Sequence, residues 1–160
     1  NAICLVPEKI EERTTEGGLD ICKSTSSLRS FLEPIKRRNI RVSLFIEPIE
    51  EQIHAAKTIG ADIIELHTGH FCELYEKKDE NYTEAFKILE KAASYAYKLG
   101  LEVHAGHGLT TGSVELVSKI PEMTELNIGH AIISDSIFMG LKGAVQLMKQ
   151  TIKEARFQRV

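Results

Sequence analysis

The sequence predicts an α/β fold with a parallel sheet built from successive strand–helix units. Five short β-prone runs alternate with helical patterns along the 160 residues. The first run is continuously apolar, as a strand buried on both faces requires, and four of the five lead into loops rich in Gly, Thr or His. That alternation is the pattern of βα units rather than of hairpins.

Residues 2–6 form the first run, closed by Pro7. A polar loop follows, with Thr14-Thr15-Glu16-Gly17-Gly18, where hydroxyls are offered to a ligand or to their own backbone. Leu28, Phe31, Leu32 and Ile35 recur at helical spacing, and Pro34 predicts a kink or a boundary. The second strand is 41–47, closed by Pro48. Ile49, Ile53 and Ala56 then share one helical face, with Gly60 as the stop. The third strand, 61–67, leads into Thr68-Gly69-His70, and 71–82 reads as a charged excursion. Ala85, Phe86, Leu89, Ala92, Ala93 and Ala96 predict a long helix ending at Gly100. The fourth strand, 101–105, leads into Gly106-His107-Gly108. A short helix at 114–120 stops at Pro121. The fifth strand, 125–128, leads into Gly129-His130. A short helix at 131–138 precedes a last one carrying Leu141, Val145, Met148 and Ile152.

Nothing divides the chain, so 1–160 is expected to be a single domain. The net charge of −3 and pI near 6.1 leave no basic footprint for nucleic acid or an anionic membrane. No apolar run approaches the roughly 18 residues of a membrane span. Cys4, Cys22 and Cys72 form no CxxC pair and are odd in number, which suits a reducing compartment.

Five strands could make an open doubly wound sheet. They could equally be five of the eight units of a (β/α)8 TIM barrel, which needs about 250 residues whole and about 160 for five units. The chain starts inside a strand-like run without Met, and an extra short helix follows the last strand. Both favour the C-terminal part of a barrel with its first three strands absent. Barrels often bind phosphate between the last loops and the start of such a helix.

Strand alternation puts Glu65 and His67 on one face with Ile63. A carboxylate among apolar neighbours needs a partner or a chemical role, and Glu65 is open to either reading. His107, between two glycines at a strand end, is placed to exchange a proton, or else to cap the next helix. His130 after Gly129 is either an anion contact or a structural imidazole. His54 lies mid-helix, on the surface, and His104 faces core or pocket. The pairs His67/His70 and His104/His107 invite a metal-hydrolase alternative, although their spacing is not diagnostic. The acidic stretch 47–51 and Lys77-Lys78 read as solvated faces.

Taken in order, Leu5-Val6-Pro7-Glu8-Lys9, Thr14-Thr15-Glu16-Gly17-Gly18-Leu19-Asp20, Val42-Ser43-Leu44-Phe45-Ile46, Glu65-Leu66-His67-Thr68-Gly69, Ala105-Gly106-His107-Gly108-Leu109 and Glu125-Leu126-Asn127-Ile128-Gly129-His130-Ala131 resemble the pyridoxine 5′-phosphate synthase family. The resemblance implies a cytoplasmic TIM barrel with extra helices, assembled as a homo-octamer, with no metal and no organic cofactor. It implies condensation of 3-amino-2-oxopropyl phosphate with 1-deoxy-D-xylulose 5-phosphate to pyridoxine 5′-phosphate, phosphate and water. By the same resemblance Thr14 contacts the deoxyxylulose phosphate and Glu65 stabilises transition-state charge. His107 is the general acid, and Gly108, Gly129 and His130 hold the aminoketone phosphate. His104 stands where that family often has Asn. The family's proton-accepting His and Glu lie in an N-terminal third with no counterpart here, so these residues alone are expected to be inactive, or to survive as an oligomerising piece.

Overall fold

The apolar runs become five strands: β1 (Ala2–Leu5), β2 (Arg41–Ile46), β3 (Ile63–His67), β4 (Glu102–Gly106) and β5 (Met123–Asn127). They are seen in a computed structural model that describes residues 1–7 and 17–157. The helices are α1 (Ile21–Lys36), α2 (Glu50–Thr58), α3 (Gly69–Glu76), α4 (Tyr82–Lys98), α5 (Ser113–Ser118) and α6 (His130–Phe157).

All five strands join one parallel sheet in the order β1-β2-β3-β4-β5. Each strand adds on the same side as the last. Right-handed crossovers then place every connecting helix on one face. A doubly wound sheet needs a reversal of strand order, and among the described residues there is none. Burial agrees with this reading. Val42, Leu44, Ile46, Ile64, Leu66, Val103 and Ala105 share a core with Ile53, Leu89, Ala93, Ala96 and Ile120 from the helical layer. Phe45 and Ile63, at the alternate positions, are buried but lie outside that core. The sheet therefore has a helix-covered apolar face and a second face of different character.

Charged side chains tie the amino ends of the strands. The Asp62 carboxylate accepts from the Val42 backbone N–H (2.8 Å) and from Lys36 Nζ (2.7 Å), joining α1, β2 and the approach to β3. This leaves the carboxyl ends of the strands free for other groups.

The sequence reading needs correction in places. Residues 71–82 are not an excursion, because α3 occupies Gly69–Glu76. Phe71 and Cys72 are buried, and the Phe71 ring lies 5.7 Å from that of Phe86 on α4. Glu73, Glu76 and Lys77 stay exposed. Charge masked a short amphipathic helix. Pro34 sits inside α1, in its last turn, and the helix ends soon after at Lys36. The fifth strand starts at Met123, earlier than expected, where the Thr124 hydroxyl donates to the Val103 carbonyl (3.0 Å). The two helices expected after residue 130 run end to end as α6, broken at Gly140 (φ 75°, ψ 152°). By length and composition α6 is apolar enough to cross a membrane, a stretch the composition had discounted, but the break interrupts it. Ile133, Ile137, Phe138 and Leu141 on α6 are exposed.

Truncating Leu44→Ala or Leu89→Ala, each fully buried in the helix-facing core, is expected to cost about 2–5 kcal/mol in urea denaturation. Phe138→Ala on the exposed face of α6 should change stability by less than about 0.5 kcal/mol in the same assay.

Candidate active site

In a parallel sheet, register partners point to the same side. Phe45 pairs with Glu65 and Glu65 with His104; His67 pairs with Gly106 and Gly106 with Asn127. The face away from the helices therefore carries Glu65 and His67, as the alternation of β3 anticipates, together with Phe45, His104 and Asn127.

Glu65 occupies a slot made for it. A Cβ on Gly106 would overlap Glu65 Oε1, so only glycine leaves room for the carboxylate there. Cys4 Sγ, from β1, donates to Glu65 Oε2 at 3.5 Å, across the intervening β2. Burial pushes the Glu65 carboxyl above its ordinary value. Hydrogen bonds from Cys4 and Asn127 and the nearby His104 pull it down, and Glu125 pushes it further up.

One strand end further along, three rings meet. Phe45 lies 5.2 Å from His67, and His67 lies 4.9 Å from His107, centroid to centroid. His107 has φ +77°, in the left-handed region that non-glycine residues rarely occupy. Thr68, fully buried, holds it there: its hydroxyl lies 2.8 Å from the Gly106 carbonyl and 2.5 Å from that of His107, while its N–H donates to Gly106 O. Water loss pushes the His107 imidazole below 6.5, His67 and His130 push the same way, and Glu47 opposes them.

Glu47 is the residue that sequence reasoning missed. It is no solvated acid: Oε1 lies 2.8 Å from His67 Nδ1 and accepts from the Gly18 N–H at 2.9 Å. The bond to His67 holds its carboxyl below 4.5, although burial opposes this. The available signal was parity. Glu47 continues the Phe45 face one step past β2, toward His67.

His107, Gly108, Asn127, Gly129 and His130 line a cleft of about 150 Å³. Gly129 and His130 are exposed at the start of α6, where backbone N–H groups lack helical partners. His107, Gly108, Gly129 and His130 thus gather beyond the carboxyl ends of β4 and β5, and Glu65, in the middle of β3, reaches Gly106 at the end of β4. Thr14 lies outside the described residues.

Other candidates stand apart. His104 is buried in mid-sheet, with Nε2 2.8 Å from Glu102 Oε1 and Nδ1 3.5 Å from Glu125 Oε1. His54 is exposed, beside Cys22 and Tyr95 in a shallow cleft of the helical layer, and His70 is exposed on α3. Among the described residues no three His, Cys, Asp or Glu side chains gather as a metal-ligand set, so no geometry favours the hydrolase alternative.

A sequence profile for the family described as pyridoxal phosphate biosynthesis protein PdxJ matches residues 1–154. Curated relatives include the pyridoxine 5′-phosphate synthase of Sulfurihydrogenibium sp. (strain YO3AOP1), 51% identical over 98% of this chain and 63% of its own length. The one from Roseobacter denitrificans is 46% identical, again over 98% of this chain and 63% of its own. The chain thus spans a little under two thirds of the relatives it matches. Among solved structures, the Amycolatopsis orientalis BexX/CysO complex is similar with a TM-score of 0.58 over 89% of this chain and 52% of that one. At 13% identity that is a likeness of fold alone.

The two carboxylates should respond oppositely to removal of charge. Glu65, raised in the folded state, costs stability once ionised. Glu65→Gln should therefore raise the urea midpoint at pH 7, with the gain fading below pH 4.5. Glu47, lowered in the folded state, contributes stability above 4.5 that is lost on acidification through its lowered value. Glu47→Gln should lower the midpoint at pH 7, and the difference should vanish in acid.

Proposed function

The chain belongs to the PdxJ family of pyridoxal phosphate biosynthesis proteins, and from that premise we propose that it forms the larger part of a pyridoxine 5′-phosphate synthase. The reaction joins 3-amino-2-oxopropyl phosphate to 1-deoxy-D-xylulose 5-phosphate and releases phosphate and water. The observation that carries this reading is that His107 and the Gly129-His130 turn line one cleft beyond β4 and β5, while the Glu65 carboxylate, from the middle of β3, lies against Gly106 at the end of β4.

The roles are those the family resemblance implies, and the environments support them. The Gly108 and Gly129 backbones and the His130 imidazole receive the aminoketone phosphate at the opening of α6, where N–H groups and the helix dipole favour an anion. A phosphate bound there raises the depressed His107 toward its protonated form, because an adjacent anion favours imidazolium. His107 then gives its proton to the departing water or phosphate oxygen. Glu65, in its slot over Gly106, stabilises positive charge that develops as the carbon–nitrogen bond forms. Thr14 completes the reading as a contact to the deoxyxylulose phosphate.

The same reading includes a TIM barrel. It is supported by the monotonic strand order, the single helical face and the Cys4–Glu65 contact across β2, which a sheet curled away from the helices allows. In this reading β1 and β5, which among the described residues each pair on one side only, would meet further strands that close the barrel. A cytoplasmic, octameric enzyme belongs to this proposal on the family resemblance, and the exposed apolar side chains of α6 suit burial against further protein.

Turnover with both phosphates tests the proposal. The 160 residues alone should give no pyridoxine 5′-phosphate. Joined behind the portion of the Sulfurihydrogenibium relative that the match leaves out, they should give it. In that protein His107→Gln should lower kcat by about a hundredfold or more. A folded joined protein without product would reject the function.

A further inference from the structure

One buried atom at the rim has no use in the reaction described above. His67 Nε2 is shielded from water and has no hydrogen-bond partner, in a side chain only 10% exposed. An orphaned buried polar atom is costly, so its persistence asks for a reason.

The tautomer of His67 is set by its other side. Nδ1 lies 2.8 Å from Glu47 Oε1, an oxygen that also receives the Gly18 N–H. An ionised carboxylate only accepts, so Nδ1 carries the hydrogen and the neutral ring presents a bare, accepting Nε2. What faces that nitrogen is legible from Gly69. A Cβ on Gly69 would sit 2.6 Å from His67 Nε2 and 3.1 Å from His107 Cδ2. The two rings therefore converge on one small space that glycine keeps open. A half-turn of the His107 ring exchanges Cδ2 with Nδ1 without changing its shape. It brings a donor to the side of the ring that now presents carbon.

We infer that His67, fixed by Glu47, is a positioning residue whose Nε2 accepts a hydrogen bond from His107 Nδ1–H, leaving His107 Nε2 to face the cleft. The inference rests on the proposed role of His107 as proton donor. In the protonated ring both nitrogens carry hydrogen. On transfer the Nε2–H bond breaks, an O–H bond forms on the leaving group, and the neutral ring keeps its Nδ1–H on His67. Among the described residues, the other titratable groups around the pair include Glu47 beyond β2, His70 and Cys72 on α3, the latter with its thiol 3.8 Å from the His107 carbonyl, and His130 on α6.

Imidazole 15N spectra of this chain at pH 7.5, where His107 is neutral, test the pairing without any turnover. His107 should be the Nδ1–H tautomer and His67 also Nδ1–H. In His67→Phe, checked for folding by circular dichroism, His107 should revert toward the Nε2–H form. His67→Gln, whose amide oxygen can accept in the same place, should preserve the Nδ1–H form in part. Glu47→Gln should mix the His67 tautomers. An Nε2–H form of His107 in the unaltered chain, or a tautomer indifferent to His67→Phe, overturns the inference and leaves the synthase reading standing. In the joined, full-length protein, His67→Phe should lower kcat by about tenfold or more with KM within about twofold. An unchanged kcat there rejects the positioning role, whereas loss of turnover without any substitution rejects the function instead.

Discussion

The constraint on which the rest of the structure depends is the one-way order of the sheet. Because β1 to β5 are added in sequence, the helices accumulate on one face. Apolar side chains at one parity supply the core. The other parity is released from that duty, and there the chain places Glu65, His67, His104 and Asn127. Buried polar groups are costly in an ordinary core. Here they lie on the face opposite the helix-covered core.

The two ends of that sheet are used differently. At the amino ends Lys36 and Asp62 tie helix to strand. At the carboxyl ends glycines hold space open: Gly106 beneath the Glu65 carboxylate and Gly69 beside two imidazoles. Thr68 fixes the backbone of His107 in a conformation that its side chain disfavours. Ties between layers and the candidate site are thereby separated along the strands, the division seen in α/β folds with active sites at strand ends.

Much of this was legible in the sequence, for local reasons. Alternation along β3 put Glu65 with His67 because the strand period is two. The short helix expected at 131–138 and the last helical stripe from Leu141 are two pieces that the structure does break apart, at Gly140. What was not legible is non-local. Glu47 belongs to an acidic stretch, and its contact with His67 depends on the register of β2 against β3, which no spacing reveals. The helix α3 hid because Glu73, Glu76 and the Lys77 that caps it surround only two buried side chains, Phe71 and Cys72. His104 was left between core and pocket because its carboxylate neighbours come one from its own strand and one from β5.

The central claim is that the ends of β4 and β5 form one anion-accepting rim served by His107. Titrating the isotopically labelled chain with inorganic phosphate, and following backbone amides together with the His107 ring, tests it most directly. The account expects shifts concentrated at Gly108, Gly129 and His130, with the His107 midpoint moving upward as phosphate binds. Shifts confined to the α1–α2 surface near Cys22 and His54, or a His107 midpoint that ignores phosphate, would contradict it.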